Sequence, residues 1–232
     1  MTGTLYLVPS PLGEGPLEGI LPRDVLMRIA DLSCFVVEHP KSARHFLKRC
    51  KTKTPLQQIE FHVLDEHTSK MEIEALLAPL LAGRDVGLIS EAGCPAVADP
   101  GSDLVFLAHR KGIRVAPLVG PSSILLSLMA SGLGGQRFCF HGYLPVEKED
   151  LDKKIRAIEK ASRERDETQI FIETPYRNKR LLDALVENCR GDTQLSIATD
   201  LSLDTESIMT KPVRSWKGTE LGKRPSVFLI KG

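Results

Sequence analysis

Acidic and imidazole side chains fall close together at two places in the chain, Glu38-His39 and the run containing His62, Asp65, Glu66 and His67. A zinc hydrolase would set two histidines one helical turn apart, in the spacing H-E-x-x-H. Neither grouping has it, so no metal site is expected there. Ser122-Ser123 offers hydroxyl nucleophiles, but no G-x-S-x-G elbow surrounds them. Ser122 reads instead as a helix cap, its side chain accepting from N-terminal N–H groups. The five cysteines, Cys34, Cys50, Cys94, Cys139 and Cys189, lack C-x-x-C spacing and read mostly as small buried hydrophobes.

Three segments rich in glycine and proline remain: Pro9 to Gly15, Ser90 to Gly101 and Val119 to Ser123. In an open α/β sheet, ligands bind beyond the carboxyl ends of the strands, where loops diverge and helix N-termini offer N–H groups. Glycine permits close approach of a ligand to the backbone and proline stiffens the loop, so the set suits main-chain recognition of a flat heterocycle. The same segments also read as ordinary turns. None is a G-x-G-x-x-G fingerprint or a G-x-x-x-x-G-K-[ST] phosphate cradle, which disfavours NAD and ATP. S-adenosylmethionine carries its own positive charge and needs mainly shape and backbone contacts, so it fits such loops better.

The elements that must position these loops alternate. Strands are expected at Leu5 to Pro9, Cys34 to Val37, Gln58 to Phe61, Val86 to Ile89 and Arg114 to Leu118. Between them lie helical patterns: Val25, Leu26, Ile29 and Ala30 after Pro22, then Ser42 to Cys50. A third starts at the capping box Ser69-Lys70-Met71-Glu72 and runs through Leu81 to a Gly83 cap. A fourth, opened by Asp99-Pro100, closes at Gly112. Strands alternating with helices argue for a mostly parallel sheet covered on both faces. After the junction near Val119 come a small-residue helix to Ala130, a strand at Phe138 to His141 and a turn at Gly142 to Pro145. A charged helix then covers Glu147 to Arg165, followed by a strand at Gln169 to Ile172 and a helix from Thr174-Pro175 to Cys189. Gln194 to Ala198 and Val227 to Ile230 read as the last strands, with Trp216 in a looser region.

Composition sets the outer bounds. A chain of 232 residues, 42% hydrophobic and 26% charged, accommodates two modest domains. No apolar run approaches the roughly 20 residues of a membrane-spanning helix, and no secretory pattern opens the chain. A cytoplasmic protein without membrane partners is expected. A formal net charge of +1 gives no global pull toward a polyanion.

Taken in order, several segments resemble the tetrapyrrole-methylase superfamily: Leu5-Tyr6-Leu7-Val8-Pro9-Ser10-Pro11-Leu12-Gly13, Leu88 to Pro95 with Asp99-Pro100-Gly101, and Pro117 to Ser123. Phe140 to Pro145, Ile172 to Arg177 and Ala198 to Leu201 continue the match. The resemblance is nearest to the branch that 2′-O-methylates a cytidine of small-subunit ribosomal RNA. It implies an α/β protein with an N-terminal parallel-sheet domain over residues 1–118 and a mixed-sheet α/β domain over 119–232. It further implies a homodimer that holds S-adenosylmethionine in the cleft between the domains. Carried over position by position, the cofactor residues are Leu12, Ala92, Gly93, Cys94, Val97, Ser122 and Ser123, with Ile172, Ala198, Pro225 and Ser226 from the second domain. Glu38 and Glu91 match acidic cleft positions and are the candidates for orienting or deprotonating an acceptor. Capping or ion pairing at strand ends accounts for them equally well.

The departures fall mostly on the acceptor side. Glu38 is followed by His39-Pro40-Lys41, Glu91 replaces an aspartate, Ile172 a tyrosine, Tyr176 a histidine, and Thr199, Asp200 and Leu203 replace an arginine-glutamate pair and a later lysine. The chain also stops soon after the last strand. Ribosomal RNA, alone or in the small subunit, is the leading acceptor, with inefficient modification or a different site expected. Lys41, Arg44, Lys48 and Arg49, on one predicted helix, are candidates for phosphate contact. Methylation of a small molecule or tetrapyrrole, and a cofactor-binding regulator without catalysis, are the alternatives.

Overall fold

Strands whose side chains are apolar on both faces, such as Cys34-Phe35-Val36-Val37, must be covered on both sides, and this requirement organises the first half of the chain. The structure, a computed structural model, describes residues 2–232. They divide into two units, the first ending at Ser122 and the second running from Ser123 to Gly232.

The first unit alternates β1 (Thr4–Val8), α1 (Arg23–Asp31), β2 (Cys34–Val37), α2 (Pro40–Arg49), β3 (Glu60–Val63), α3 (Lys70–Ala75), α4 (Ala78–Leu81), β4 (Val86–Ile89), α5 (Ser102–Arg110) and β5 (Arg114–Pro117). All five strands are parallel, in the order β3-β2-β4-β1-β5. The chain moves toward one edge from β1 to β3 and toward the other from β3 to β5. Right-handed crossovers therefore send α1 and α2 to one face and α3, α4 and α5 to the other. Two cores follow the alternation of side chains. Tyr6, Val8, Phe35, Val37 and Ile89 pack with Val25, Ile29, Phe46 and Leu47 of α1 and α2. Leu5, Cys34, Val36, Val86 and Leu88 pack with Ile73, Leu77, Leu80 and Leu104 on the opposite face. Each such apolar side chain taken fully out of water contributes about 1.5–3 kcal/mol.

The helix expected to run unbroken to Leu81 is two helices. Its capping box forms as read: Ser69 Oγ accepts from the Glu72 N–H, and Glu72 Oε2 accepts from the Ser69 N–H at 2.9 Å. Pro79 has no N–H to donate to Ala75, and its ring crowds that carbonyl, so α3 ends at Ala75 and α4 restarts at Ala78. Leu77 and Leu80 are nevertheless both fully buried. Asp99-Pro100 does not open α5, which starts at Ser102 behind Gly101.

The second unit contains α6 (Ser123–Ser131), β6 (Phe138–Tyr143), α7 (Lys148–Arg165), β7 (Thr168–Glu173), α8 (Asn178–Asn188), β8 (Gln194–Thr199), β9 (Ser207–Pro212) and β10 (Ser226–Lys231). Its sheet, ordered β6-β7-β10-β8-β9, is mixed: β6 and β7 are parallel and the other neighbours antiparallel. Leu151, Ile155 and Ile158 of α7 and Leu181, Leu182 and Leu185 of α8 pack on Phe171, Phe228 and Ile197, while α6 packs against β8, β9 and β10. Gly142-Tyr143, expected as a turn, extends β6 through a bulge with Gly142 at φ 64°. β9 was not expected, because an edge strand with Met209 and Thr210 exposed carries no apolar alternation. Trp216 is ordered: its indole N–H donates to the Leu195 and Lys211 carbonyls, and the ring is buried.

Gly87, on the central strand β4, makes room for a neighbour. A Cβ there would stand 2.6 Å from Cδ1 of Phe35, a ring with no exposure and no freedom to retreat. Gly87→Ala is expected to destabilise the protein by about 1–3 kcal/mol through overpacking. Gly19→Ala, where an added Cβ meets nothing within 4 Å, should stay within about 0.5 kcal/mol. Urea midpoints at constant slope read both values, and equal midpoints for the two variants would disprove the packing account.

Candidate active site

Where strands β1 and β4 lie side by side, the chain leaves toward opposite faces of the sheet, and the loops beyond their carboxyl ends would ordinarily diverge. Here they are tied. The Ser10 N–H donates to the Gly93 carbonyl at 2.9 Å, and the Gly93 N–H donates back to Ser10 at 3.0 Å. Ser10 Oγ donates to the Ser90 carbonyl at 2.7 Å, and Ser90 Oγ to the Gly93 carbonyl at 3.1 Å. The third loop joins through Cys94, whose thiol donates to the Pro121 carbonyl at 3.4 Å. The structure thus brings Leu12, Gly93, Cys94 and the segment leading to Ser122 together. Gly93 holds φ 76°, a left-handed conformation that suits glycine, and a Cβ there would lie 3.4 Å from Leu12 Cδ2. Further along, Ala96 and Ala98 are left-handed too, at φ 64° and 60°. Such non-glycine positions cost roughly 1–3 kcal/mol each and recur at ligand-binding loops. Ala92 and Val97 are exposed on this loop.

Carboxylates gather beside it. Glu91 accepts from Ser42 Oγ at 2.8 Å and lies 3.5 Å from His39 Nδ1. Burial, reinforced by the negative charges of Glu38 and Glu91, pushes the Asp99 carboxyl up to about 6. Asp99 is the functional candidate that sequence reasoning passed over, because Asp-Pro reads as a helix opening; only the fold brings it near Glu38. Asp99 lines a cavity of about 480 Å³ with Asp65, Thr68 and Gly101. A second cavity, of about 460 Å³, opens at the ends of β1, β2 and β4, lined by Leu12, Glu14, Lys41, His45, Arg49 and Glu91 among others.

The four cations expected on one helix do lie on α2, but on different faces. Lys41, His45 and Arg49 recur every four residues and line the cavity. Arg49 donates to the Gly15 carbonyl and pairs with Glu14 at 3.4 Å. Arg44 turns away, its guanidinium 4.7 Å from the centre of the Phe61 ring.

In the second unit, strand register collects the expected residues. Val227 pairs with Ile172 on one side and Ala198 on the other, while Ser226 pairs with Glu173 and Thr199. Ile172, Ala198, Pro225 and Ser226 therefore share one end of three adjacent strands. Asn178, another residue that sequence pattern missed, is fully buried behind them and donates to the Arg224 carbonyl at 2.8 Å and to Ser226 Oγ at 3.1 Å. Asp200, one of the divergent acceptor-side positions, is an internal partner: it accepts from Arg224 at 3.0 Å and Thr205 Oγ1 at 2.8 Å. Ser123 is the first residue of α6. Tyr176 is exposed. Burial raises the thiols of Cys50 and Cys189 to about 12, which keeps them protonated and unreactive.

The fold has counterparts among solved structures. The methyltransferase CobJ superposes over all of this chain and 95% of its own, with a TM-score of 0.66 and 22% identity. Uroporphyrin-III-C-methyltransferase from Thermus thermophilus covers the whole chain and 93% of its own, at TM-score 0.57 and 19% identity. The two-domain tetrapyrrole-methylase fold is thereby shown. No family model matches the sequence. Among curated proteins, the ribosomal RNA small subunit methyltransferase I of Vibrio cholerae is 30% identical over 90% of this chain and 68% of the relative. That of Pseudomonas aeruginosa is 31% identical over 91% and 71%, and that of Escherichia coli O157:H7 is 32% identical over 91% and 70%. Identity at this level, spread over nine-tenths of the chain and over two thirds of those relatives, establishes that the protein belongs to the ribosomal RNA small subunit methyltransferase I family of methyltransferases.

Proposed function

We propose that the chain methylates a ribose hydroxyl of small-subunit ribosomal RNA with S-adenosylmethionine as donor. The observation that carries this reading is the tied pair of loops at Ser10 and Gly93, with three carboxylates and a cation-lined cavity beside it. The loops suit the donor: Leu12, Ala92, Gly93, Cys94 and Val97 are small or apolar, none is cationic, and the nearby carboxylates complement a sulfonium charge. Ser122, Ser123, Ile172, Ala198, Pro225 and Ser226 complete the proposed set. When bound, the donor supplies a methyl carbon already activated for displacement.

What the chain itself must do is align and exclude water. Glu38 and Glu91 are proposed to orient the acceptor hydroxyl. Its proton passes to the carboxylate group that includes Asp99, which binds a proton more tightly than an ordinary carboxylate and is a better base for it. The donor, if held by these loops, would supply the methyl carbon, and the part of the chain is to hold the deprotonated acceptor oxygen in line with it. Lys41, on the cavity wall, is proposed to meet a phosphate of the acceptor strand, while Arg49, bound to Glu14 and the Gly15 carbonyl, would have to exchange those partners to do so.

The test incubates the protein with methyl-labelled cofactor and unmodified small ribosomal subunits, then maps the label. A 2′-O-methylated nucleotide is expected; label on none of the RNA, with uptake into small molecules instead, would overturn the acceptor. Gly93→Val is expected to weaken cofactor binding at least about tenfold in calorimetric titration with native circular dichroism, because a β-branched residue resists left-handed φ. Unchanged binding removes Gly93 from the site. Lys41→Gln should lower the slope of log affinity for RNA against log salt by about 0.7–0.9, the share of one phosphate contact; an unchanged slope takes Lys41 off the RNA.

Asp99 gives a pH signature. Its folded value, raised to about 6 from 3.8, means the native state binds more protons than the unfolded state between those limits. Stability contributed by the protonated form is therefore lost as pH rises through that window. Asp99→Asn mimics the protonated form, so its melting temperature should gain on the wild type from pH 4 to pH 6 and level off above pH 7. A difference that is constant across this range would show that Asp99 titrates normally.

A further inference from the structure

At the opposite ends of the strands from the loops lies a cluster with different chemistry. Cys34 and Glu60 are the first residues of β2 and β3 and pair in register, and His62 follows two residues along β3 on the same face. Their ligand atoms, one thiol sulfur, one carboxylate oxygen and one imidazole nitrogen, all lie within 4.8 Å of one another. From these three residues we infer a binding site for a single divalent transition-metal ion, with zinc the best chemical fit.

Three features support it. First, His62 Nε2 is buried and stands 2.8 Å from Glu60 Oε1, an ion pair when the ring is protonated. A divalent cation taken up there would replace the ring proton in joining these two atoms, which already lie at ligand spacing with the Cys34 sulfur. Second, Glu60 is already oriented. Arg84 donates to its Oε2 at 2.5 Å, which leaves Oε1 toward His62. Third, the donor set of one sulfur, one nitrogen and one oxygen suits zinc, which prefers tetrahedral sites of cysteine, histidine and carboxylate. Bonds of about 2.0–2.3 Å require the three side chains to draw together modestly. The fourth position falls to water, since β3 is the edge strand of its sheet. Cys34 is fully buried, and on binding the ion takes the place of the thiol proton, which leaves to solvent. Bound there, it clips the edge strand to β2, away from the proposed methyl-transfer chemistry.

Full-length protein stripped with a chelator and titrated with cobalt(II) provides the test. One ion per chain is expected, with a sulfur-to-cobalt charge-transfer band that zinc abolishes by displacement. Cys34→Ala should eliminate the band, and His62→Gln should weaken binding at least about tenfold. Zinc should raise the melting temperature of the wild type and not of His62→Gln. Absence of saturable uptake would overturn the site, as would a band that survives Cys34→Ala and so belongs to another cysteine. Should Cys34→Ala fail to fold, His62→Gln, at a half-buried edge position, decides alone: unchanged cobalt affinity overturns the inference.

Discussion

Two backbone hydrogen bonds between Ser10 and Gly93 are the constraint on which the candidate site depends. The loops after β1 and β4 are the ones that a doubly wound sheet throws to opposite faces, and such loops would normally leave an open crevice. Closing it fixes the height and direction of both. Gly93 must then adopt a left-handed φ to return its N–H and carbonyl to Ser10, and the following residues stay irregular through Ala96 and Ala98 until Gly101 allows α5 to begin. The hydroxyls of Ser10 and Ser90 reinforce the same joint from within. A loop stretched in this way presents backbone and small side chains rather than long polar ones, the surface a neutral heterocycle with a single positive centre needs.

The carboxylates are a consequence of that closure. Glu38 directly follows β2, Glu91 comes two residues after β4, and the last residues of the two strands pair, so the two acids are close by topology. Asp99 returns to them only because the loop doubles back before α5. Three negative charges with partial burial are costly, and the cost appears as the raised proton affinity of Asp99. Evolutionary tolerance of such a cost makes sense where a proton must be taken up. Ser42 and His39, from the start of α2, are the partners of Glu91. Replacement residues that looked like losses on the acceptor side thus have partners: His39 steadies Glu91, Lys41 lines the cavity, and Asp200 fastens β8 to the segment ahead of β10 through Arg224.

What could be read from the sequence was whatever depends on neighbours along the chain. Apolar runs marked the buried strands β1, β2 and β4, and the capping box marked the start of α3. Pro79 was in plain view, but the apolar spacing on either side of it outweighed its broken hydrogen bond. β9 escaped because an edge strand needs no apolar face. Of the site, the glycine and proline loops were legible since their backbone demands are local. Asp99 and Asn178 were not: one owes its character to charges 61 and 8 residues away in sequence, the other to a strand end beyond the next two strands.

Cys34, Glu60 and His62 carry that lesson furthest. Spacing rules for metal sites look along a helix or a short loop, whereas parallel strands bring ligands together across a crossover of more than twenty residues. In a parallel pair, in-register residues point to the same face, so a cysteine opening one strand and a glutamate opening the next are joined by register alone. His62 then lies on that face by the two-residue period. The two ends of the sheet have accordingly been put to separate uses: its carboxyl ends feed loops that can be shaped around a ligand, while its amino ends, where turns are tight and Arg84 closes the edge, offer side chains fixed by the strands themselves. The donor set at the second end is held by the strands, whereas the loops at the first are held by the Ser10–Gly93 pair and the serine hydroxyls beside it.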